Sequence, residues 1–221
     1  MLRPPVHTLL LCCFSLLLVA PSTCSGQNDR WVKRDAWQNV PGIFEAMDLR
    51  EGSRVADVGA RDGYLTVRLA RAVGEHGHVY AVDIDRKALE DLRDNLADED
   101  TSRVTLIHSV PDDPMLPEGT LDAVVVVNAY HEFRAYASML DHIKAALKPG
   151  GRLVLVEPIS DRRRDASRKQ QMSSHEIALH FARADLKEAG FEILEERDPF
   201  IERTHNSDEM WLLVGRRPEA E

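Results

Sequence analysis

The stretch Val55-Ala56-Asp57-Val58-Gly59-Ala60-Arg61-Asp62-Gly63-Tyr64 decides the fold of this 221-residue chain. Arg54–Val58 is predicted as a strand, and Tyr64–Val73 as a helix with a broad apolar face that Gly74 closes. The small residues between them let a ligand approach the backbone at the carboxyl end of the strand, where open α/β sheets bind nucleotides. The stretch therefore predicts a strand–turn–helix unit at a ligand-binding edge.

The same alternation of strand and helix continues on the carboxyl side of this unit. Further strands are predicted at His78–Val82, Val104–Ile107, Leu121–Val127, Arg152–Glu157, Phe191–Glu196 and Met210–Val214. Helices are predicted at Pro41–Leu49, Arg86–Leu96 and Arg134–Leu147. The alternation predicts an α/β fold, a Rossmann-like doubly wound, mainly parallel seven-stranded sheet with helices on both faces.

One further helix is predicted late in the chain. Residues 160–172 are polar and basic and are predicted as a loop. Ser173 is followed three residues later by Glu176, the spacing of a capping box, and Gly190 marks the end of the helix. The pattern predicts a helix that begins at Ser173.

The glycine pattern after the first strand argues against a nicotinamide dinucleotide. In the G-x-G-x-x-G pattern the glycines would fall at residues 59, 61 and 64, but two of these positions are Arg61 and Tyr64. Asp57, two residues before Gly59, would repel a pyrophosphate and attract the amino group of a methionine moiety. A turn that merely connects strand to helix remains the alternative.

A second acidic residue ends the neighbouring strand. Asp83 follows Asp57 by twenty-six residues in Ala81-Val82-Asp83-Ile84-Asp85. A carboxylate at this position can accept charge-assisted hydrogen bonds from both ribose hydroxyls of an adenosine. The alternative is a helix cap, a role that suits Asp85 better than Asp83.

Four segments, in order and spacing, resemble the class I S-adenosylmethionine-dependent methyltransferases: residues 57–64, 81–85, Leu121-Asp122-Ala123-Val124 and residues 147–153. The resemblance covers roughly residues 38–215. Trp37-Gln38 and Asn128-Ala129-Tyr130-His131-Glu132-Phe133 look like marks of a subgroup of small, often exported, bacterial-type proteins. The resemblance implies S-adenosyl-L-methionine as cofactor, with Asp57, Gly59 and Gly63 at its methionine part and Asp83 at its ribose. The complete set of cofactor-binding residues that we predict is Asp57, Gly59, Ala60, Arg61, Gly63, Asp83, Ile84, Asp112 and Asn128.

The sequence departs from the family pattern at two places. Arg61 stands where the family usually has a second glycine, and its guanidinium would either crowd the cofactor or meet the methionine carboxylate; we favour the second. Ser109-Val110 stands where the family usually has Gly-Asp for the adenine amino group. Asp112 or Asp113 would then substitute from a shifted loop.

Candidate catalytic residues should lie at the carboxyl ends of strands four and five. His131, Glu132 and Tyr130 are the candidates there, together with Glu157. His131 is preferred as base or acceptor-orienting residue, because imidazole titrates near neutral pH; the alternative is that it caps a helix or positions the cofactor. No metal site is predicted, because His131, Glu132 and His175 include no short-spaced ligand pair.

The N-terminal region differs in composition from the rest of the chain. Arg3, an apolar run over 9–20 and small residues over 21–26 follow the order of a secretory signal peptide. We expect a leader over 1–26, a lead-in segment over 27–40, the methyltransferase domain over 41–216 and a tail over 217–221. The leader predicts export to the periplasm or the medium, and an uncleaved leader would tether the protein to a membrane.

The expected function is methyl transfer from S-adenosylmethionine to a small-molecule acceptor, because no inserted substrate domain is visible. One alternative is a degenerate protein that binds the cofactor without turnover, and a disfavoured one is a nicotinamide-dependent oxidoreductase. The formal net charge of −9 argues against a nucleic-acid partner, which would require a basic surface. All three cysteines lie in the leader, so no disulfide framework, thiolate nucleophile or cysteine metal site is expected in the domain.

Overall fold

The computed structural model describes residues 25–97, 101–202 and 208–219. The strands are β1 (Arg54–Val58), β2 (His78–Asp83), β3 (Val104–His108), β4 (Leu121–Val127), β5 (Leu147–Ser160), β6 (Glu192–Glu202) and β7 (Asp208–Arg216). The helices are α1 (Ser25–Asp35), α2 (Val40–Ala46), α3 (Tyr64–Ala72), α4 (Arg86–Asn95), α5 (Tyr136–Ala146), α6 (Arg168–Met172) and α7 (Leu179–Glu188). Short 3₁₀ turns lie at Thr101–Arg103, Tyr130–Glu132 and Asp161–Arg163.

The seven strands form one sheet in the order β3-β2-β1-β4-β5-β7-β6. β1 to β5 pair in parallel, whereas β7 is antiparallel to both of its neighbours. The predicted mainly parallel, doubly wound sheet is confirmed. The direction of strand order reverses between β1 and β4, and at such a point the loops at the carboxyl ends of the strands diverge and leave a crevice.

Helices cover both faces of this sheet because its central strands are apolar on both faces. In β4, Val124 and Val126 pack into the core shared with α5 and α7, whereas Val125 packs into the opposite core shared with α2 and α3. A strand buried on both faces cannot alternate apolar and polar residues. This explains the nearly unbroken valine run, and it leaves the strand ends as the place for polar chemistry.

Three sequence predictions need correction. The lead-in over 27–40 contains helix α1, and the loop predicted over 160–172 contains the short helix α6. The capping box at Ser173 is wrong, because the carboxylate of Glu176 is buried and accepts hydrogen bonds from the backbone N and Oγ of Ser160 instead. The capping box that forms is that of Ser167 at the start of α6.

The predicted leader lies almost entirely outside the described residues, which begin at residue 25. Across the ranges described, no helix combines the length and the apolar character that crossing a membrane requires. Export, membrane tethering and the domain boundaries at 41 and 216 stay predictions.

Candidate active site

A cleft of about 1430 Å³ runs along the carboxyl ends of the parallel strands. Single small ligands typically occupy ~300–1,000 Å³, so this cleft has room for two ligands side by side. The residues after β2 and β3 line one end of the cleft, and residues 128, 129 and 131–134 after β4, with His175, line the other. The sheet order places the turn after β1 between these two ends.

The turn after β1 is held close to the neighbouring strand by its own backbone. The N–H groups of Gly59 and Ala60 both donate to the carbonyl of Val82, at 2.8 and 3.0 Å. Gly59 has φ +84°, and a Cβ at this position would lie 2.5 Å from Cβ of Ala129. Glycine is therefore required here by conformation and by space.

Arg61 continues this turn in the left-handed region, with φ +51°. That conformation disfavours a residue with a Cβ by roughly 1–2 kcal/mol, which explains why glycine suits the position. The backbone N of Arg61 donates to Oδ2 of Asp83 at 2.8 Å, and its exposed side chain lines the cleft. The arginine is thus tolerated because its backbone is anchored.

Asp83 is 6% exposed and ends β2 at the floor of the cleft. Its Oδ1 accepts from the backbone N of Asp85 at 2.9 Å, while Oδ2 accepts from Arg61. A carboxylate has about four acceptor positions, so both oxygens can accept a further hydrogen bond. Asp85 caps α4 by accepting from the backbone N of Lys87 at 2.9 Å, which confirms that capping suits Asp85.

Asp57 lies beneath the same turn and is 3% exposed. Its Oδ2 accepts a hydrogen bond from Oγ1 of Thr66 at 2.7 Å. Burial raises the pKa of Asp57 to about 6, although the Thr66 hydrogen bond and the charge of Arg34 oppose the shift. A buried carboxylate with so few partners is a favourable place for the cationic group of a ligand.

Two exposed apolar side chains flank the acidic floor. Ile84 is 53% exposed and Val110 is 44% exposed, and both line the cleft. The backbone N of Ser109 donates to the carbonyl of Asp83 at 3.0 Å, which joins the segments that carry these two side chains. Apolar walls beside a hydrogen-bonding floor suit a flat heterocycle attached to a ribose.

The other end of the cleft is organised by a buried carboxylate. Oε1 of Glu157 accepts from the backbone N of Ala129 and Tyr130 at 2.6 and 2.7 Å, and Oε2 lies 2.6 Å from Nδ1 of His131. Burial lowers the pKa of His131, but the hydrogen bond and charge of Glu157 outweigh it, so the pKa is raised. In the neutral ring, donation by Nδ1 leaves the Nε2 lone pair for a ligand.

Glu132 and His175 converge on the same ring. Oε1 of Glu132 lies 3.7 Å from Nε2 of His131 and 3.7 Å from Nδ1 of His175. The two imidazole rings meet edge to face at 5.5 Å. The turn containing Glu132 and the turn after α6 thus form a cluster that residue spacing along the chain does not reveal.

Helix α1 lies against the cleft and contributes Arg30 and Arg34 to its lining. Nε1 of Trp31 donates to Oδ2 of Asp62 at 3.3 Å, and the guanidinium of Arg34 lies 4.1 Å from the centre of the Tyr64 ring. Sequence reasoning missed these residues because α1 is polar and docks by long-range contacts. Two tryptophans in this polar segment, Trp31 and Trp37, were the available indication that it packs against the domain.

Most of the predicted site residues line the cleft: Asp57, Gly59, Ala60, Arg61, Asp83, Ile84, Asn128, His131 and Glu132. Tyr130 does not, because its ring is buried in the core and its hydroxyl donates to Oδ2 of Asp185 at 2.7 Å. This placement corrects its nomination as a catalytic candidate. Gly63 packs against Leu92 at the start of α3, and Asp112 is exposed on the loop after β3 outside the cleft lining.

Residues 55–151 match the family model described as a methyltransferase domain. The match contains the glycine turn, Asp83 and the segment after β4, in the arrangement just described. These residues form a methyltransferase domain. The cofactor of this methyltransferase domain is S-adenosylmethionine. The residues of the cleft can therefore be compared with the chemical groups of that compound.

Curated relatives match about half of the chain. The chain is 34% identical over 119 residues to the ubiquinone/menaquinone biosynthesis C-methyltransferase UbiE of Pseudomonas paraeruginosa, covering 52% of this chain and 45% of that protein. It is 28% identical over 122 residues to the demethylmenaquinone methyltransferase of Anoxybacillus flavithermus, covering 55% and 51%. The chain thus spans about half the length of these relatives.

The fold extends further than the sequence similarity. A SAM-dependent methyltransferase from Aquifex aeolicus superimposes with a TM-score of 0.69 at 18% identity, over 85% of this chain and 97% of that one. At this identity the comparison establishes the fold alone. It includes the region outside residues 55–151, which the family model leaves unmatched.

The residues of the cleft fit S-adenosylmethionine. Asp83 keeps acceptor capacity for the ribose, beside the exposed Ile84 and Val110 for the adenine. Asp57 offers a buried negative charge for the amino group, and Arg61 lines the cleft next to it. The departure at Ser109-Val110 removes an acidic partner for adenine and substitutes apolar contact.

Proposed function

We propose that this protein transfers the methyl group of S-adenosylmethionine to a small-molecule acceptor. The observation that carries the proposal is the pair of buried carboxylates, Asp57 and Asp83, on either side of the glycine turn after β1. Two acids with acceptor capacity, beside apolar walls, match the hydroxyl, ammonium and heterocyclic groups of this cofactor. When bound, the cofactor supplies an electrophilic methyl group on a sulfonium.

The chain's own contribution is to bind and orient. Asp83 and Asp57 would hold the adenosyl and amino-acid parts at the centre of the cleft, which leaves the end lined by His131, Glu132 and His175 for the acceptor. His131 faces this end with an orientation fixed by Glu157, so it would orient the acceptor. Alignment of two bound reactants accounts for much of the rate increase in such reactions.

A small acceptor is supported by the size and walls of the cleft. Phe133 and Met139 add apolar surface beside His131, and the two curated relatives named above are quinone-biosynthesis methyltransferases by name. The relatives are matched over half of their length, so we extend only the class of acceptor to this protein, a small molecule, and no particular quinone.

The experiment is a labelled-methyl assay. Purified protein is incubated with methyl-labelled S-adenosylmethionine and a small-molecule extract of its own cells, and low-molecular-mass products are separated. Label in a product that is absent with Asp83→Ala protein supports the proposal. Cofactor binding by calorimetry without any labelled product would overturn methyl transfer and favour a protein that only holds the cofactor.

We also propose export by way of the leader over residues 1–26, on the basis of its charge, apolar run and small-residue order. Fractionation of cells, with mass spectrometry of the N-terminus, tests it. A cleaved N-terminus outside the cytosol supports export, and an intact N-terminus in the cytosol overturns it.

A further inference from the structure

Three side chains at the acceptor end of the cleft have the composition of a metal site. His131, Glu132 and His175 each offer one ligand atom, and these three atoms lie within 4.8 Å of one another. Two histidines and one glutamate are the protein ligands of several catalytic zinc sites, in which the fourth position stays open. We propose that this cluster binds one divalent transition-metal ion.

The separations between ligand atoms agree with a shared ion. Oε1 of Glu132 lies 3.7 Å from Nε2 of His131 and 3.7 Å from Nδ1 of His175. Tetrahedral ligands about 2.0–2.1 Å from a zinc ion are about 3.4 Å apart. These two separations exceed that value by a few tenths of an ångström, and the two histidine ligand atoms lie within 4.8 Å of each other. The side chains of Glu132 and His175 are 56% and 76% exposed, so they have room to adjust around an ion.

The ring of His131 is held by a buried carboxylate at the nitrogen that would not bind the ion. Metal-binding histidines commonly donate their other ring N–H to a carboxylate, which fixes the ring and the tautomer. Nδ1 of His131 is 2.6 Å from Oε2 of Glu157, which is fully buried and anchored by two backbone N–H groups. This contact directs the Nε2 lone pair of the neutral ring towards Glu132.

The local charge also favours a cation. Glu157 and Glu132 both act on His131, and Glu176 adds a third negative charge that is partly balanced by Arg163 at 3.3 Å. Imidazole ligands favour ions such as Zn²⁺ over Mg²⁺, which prefers oxygen ligands alone.

The open coordination position would face the cleft, because all three ligands line it. An ion there would hold an oxygen of the acceptor near the cofactor end, and this role alone rests on the proposed methyl transfer. Binding of the ion does not rest on methyl transfer, since all three ligands are side chains of this protein.

The test is a Zn²⁺ titration of the full chain, free of any histidine tag and stripped with a chelator, in competition with a chromophoric zinc indicator. We expect one ion per chain with micromolar or tighter affinity. His175→Asn and Glu132→Gln should each weaken it at least ~10-fold. The matched control is His180→Asn, an exposed histidine outside the cluster, which should bind as the parent does.

Absence of saturable binding, or binding that both cluster variants leave intact, would overturn the proposal. Circular dichroism of each variant shows whether it folds, and the exposure of Glu132 and His175 makes these the variants least prone to misfold. The stripped protein is also titrated with S-adenosylmethionine alone. Cofactor binding without zinc binding overturns only the metal site, and zinc binding without cofactor binding overturns only the proposed function.

Discussion

Nδ1 of His131 lies 2.6 Å from Oε2 of Glu157, and the two side chains are 2% and 0% exposed. Glu157 is in turn fixed by the backbone N–H groups of Ala129 and Tyr130. Glu157 is therefore a positioning residue: it sets the orientation and the tautomer of His131 and holds the backbone of Ala129 beside the cleft.

The substitution Glu157→Gln should keep the backbone contacts and reverse the tautomer. The Gln Oε1 can still accept from Ala129 and Tyr130, but its amide would donate to Nδ1 and leave the proton on Nε2. We expect zinc affinity to fall ~10–100-fold while cofactor affinity is unchanged. Nitrogen NMR of the ring, at a pH where it is neutral, reads the tautomer directly.

The control for that variant is Glu188→Gln, which makes the same change at an exposed position of α7. A ring of His131 that stays protonated on Nδ1 in the Glu157→Gln protein would contradict the assigned role. Equal loss of cofactor binding and zinc binding would point instead to a collapse of the cleft.

Asp57 makes the protein without ligand less stable at neutral pH. Burial raises its pKa from 3.8 to about 6, so the folded state favours the protonated acid. This contribution to stability is fully present below pH 3.8 and is lost as the pH rises through 6. At pH 7.5 the charged form should destabilise the fold by ~3 kcal/mol at most, and at pH 5 by about half as much.

Asp57→Asn keeps an oxygen for the Thr66 hydrogen bond and removes the charge. We therefore expect a higher free energy of unfolding than the parent at pH 7.5, with a smaller difference at pH 5, and weaker cofactor binding at both. Urea unfolding at the two pH values measures the difference in unfolding free energy between the variant and the parent. The control is Asp141→Asn, the same change at an exposed position. A difference that grows on acidification would refute the assigned burial.

Tyr130 should matter for stability and not for binding. Its hydroxyl donates to Asp185, which also pairs with Arg168, and its ring is buried in the core and not in the cleft lining. Tyr130→Phe should lower the free energy of unfolding by ~1–3 kcal/mol, because a buried carboxylate loses one donor. Cofactor affinity, measured by calorimetry, should not change. A marked loss of affinity in the Tyr130→Phe protein would show that Tyr130 contributes to the binding site.

Arg61→Gly separates two roles of one residue. Relief of roughly 1–2 kcal/mol of left-handed strain is offset by the ~0.5–1 kcal/mol that glycine loses on folding, so stability should change little. Cofactor affinity should fall, since the guanidinium is expected at the methionine carboxylate. Tighter binding by calorimetry would show that Arg61 crowds the cleft.

Much of the fold followed from local pattern because the central strands are buried on both faces. The valine run of β4 and the acids that end β1 and β2 needed only periodicity and strand order to be located. Helix α1 was missed because it is polar and is held by contacts such as Trp31 to Asp62, thirty-one residues away. The periodicity of a short segment cannot identify a contact partner that is distant in the chain.

In the site, too, local pattern located some residues, whereas contacts between distant segments determined the rest. His131, Glu132 and His175 were all named from the sequence, but His175 lies beside the other two only because the turn after α6 folds back over the strand ends. The spacing rule for metal ligands therefore predicted no site. Glu176 was assigned to a helix cap because of its spacing from Ser173. Its buried carboxylate instead accepts a hydrogen bond from Ser160, sixteen residues earlier in the chain.

The central claim is tested most directly by calorimetric titration of S-adenosylmethionine into three proteins: the parent, Asp83→Ala and Asp112→Ala. Loss of the charge-assisted hydrogen bonds of Asp83 should weaken binding by ~1.5–3 kcal/mol, or ~10–150-fold. Asp112 lies outside the cleft lining, so its variant should bind as tightly as the parent. No heat with the parent at millimolar cofactor, or equal affinity of the parent and Asp83→Ala, would contradict the account.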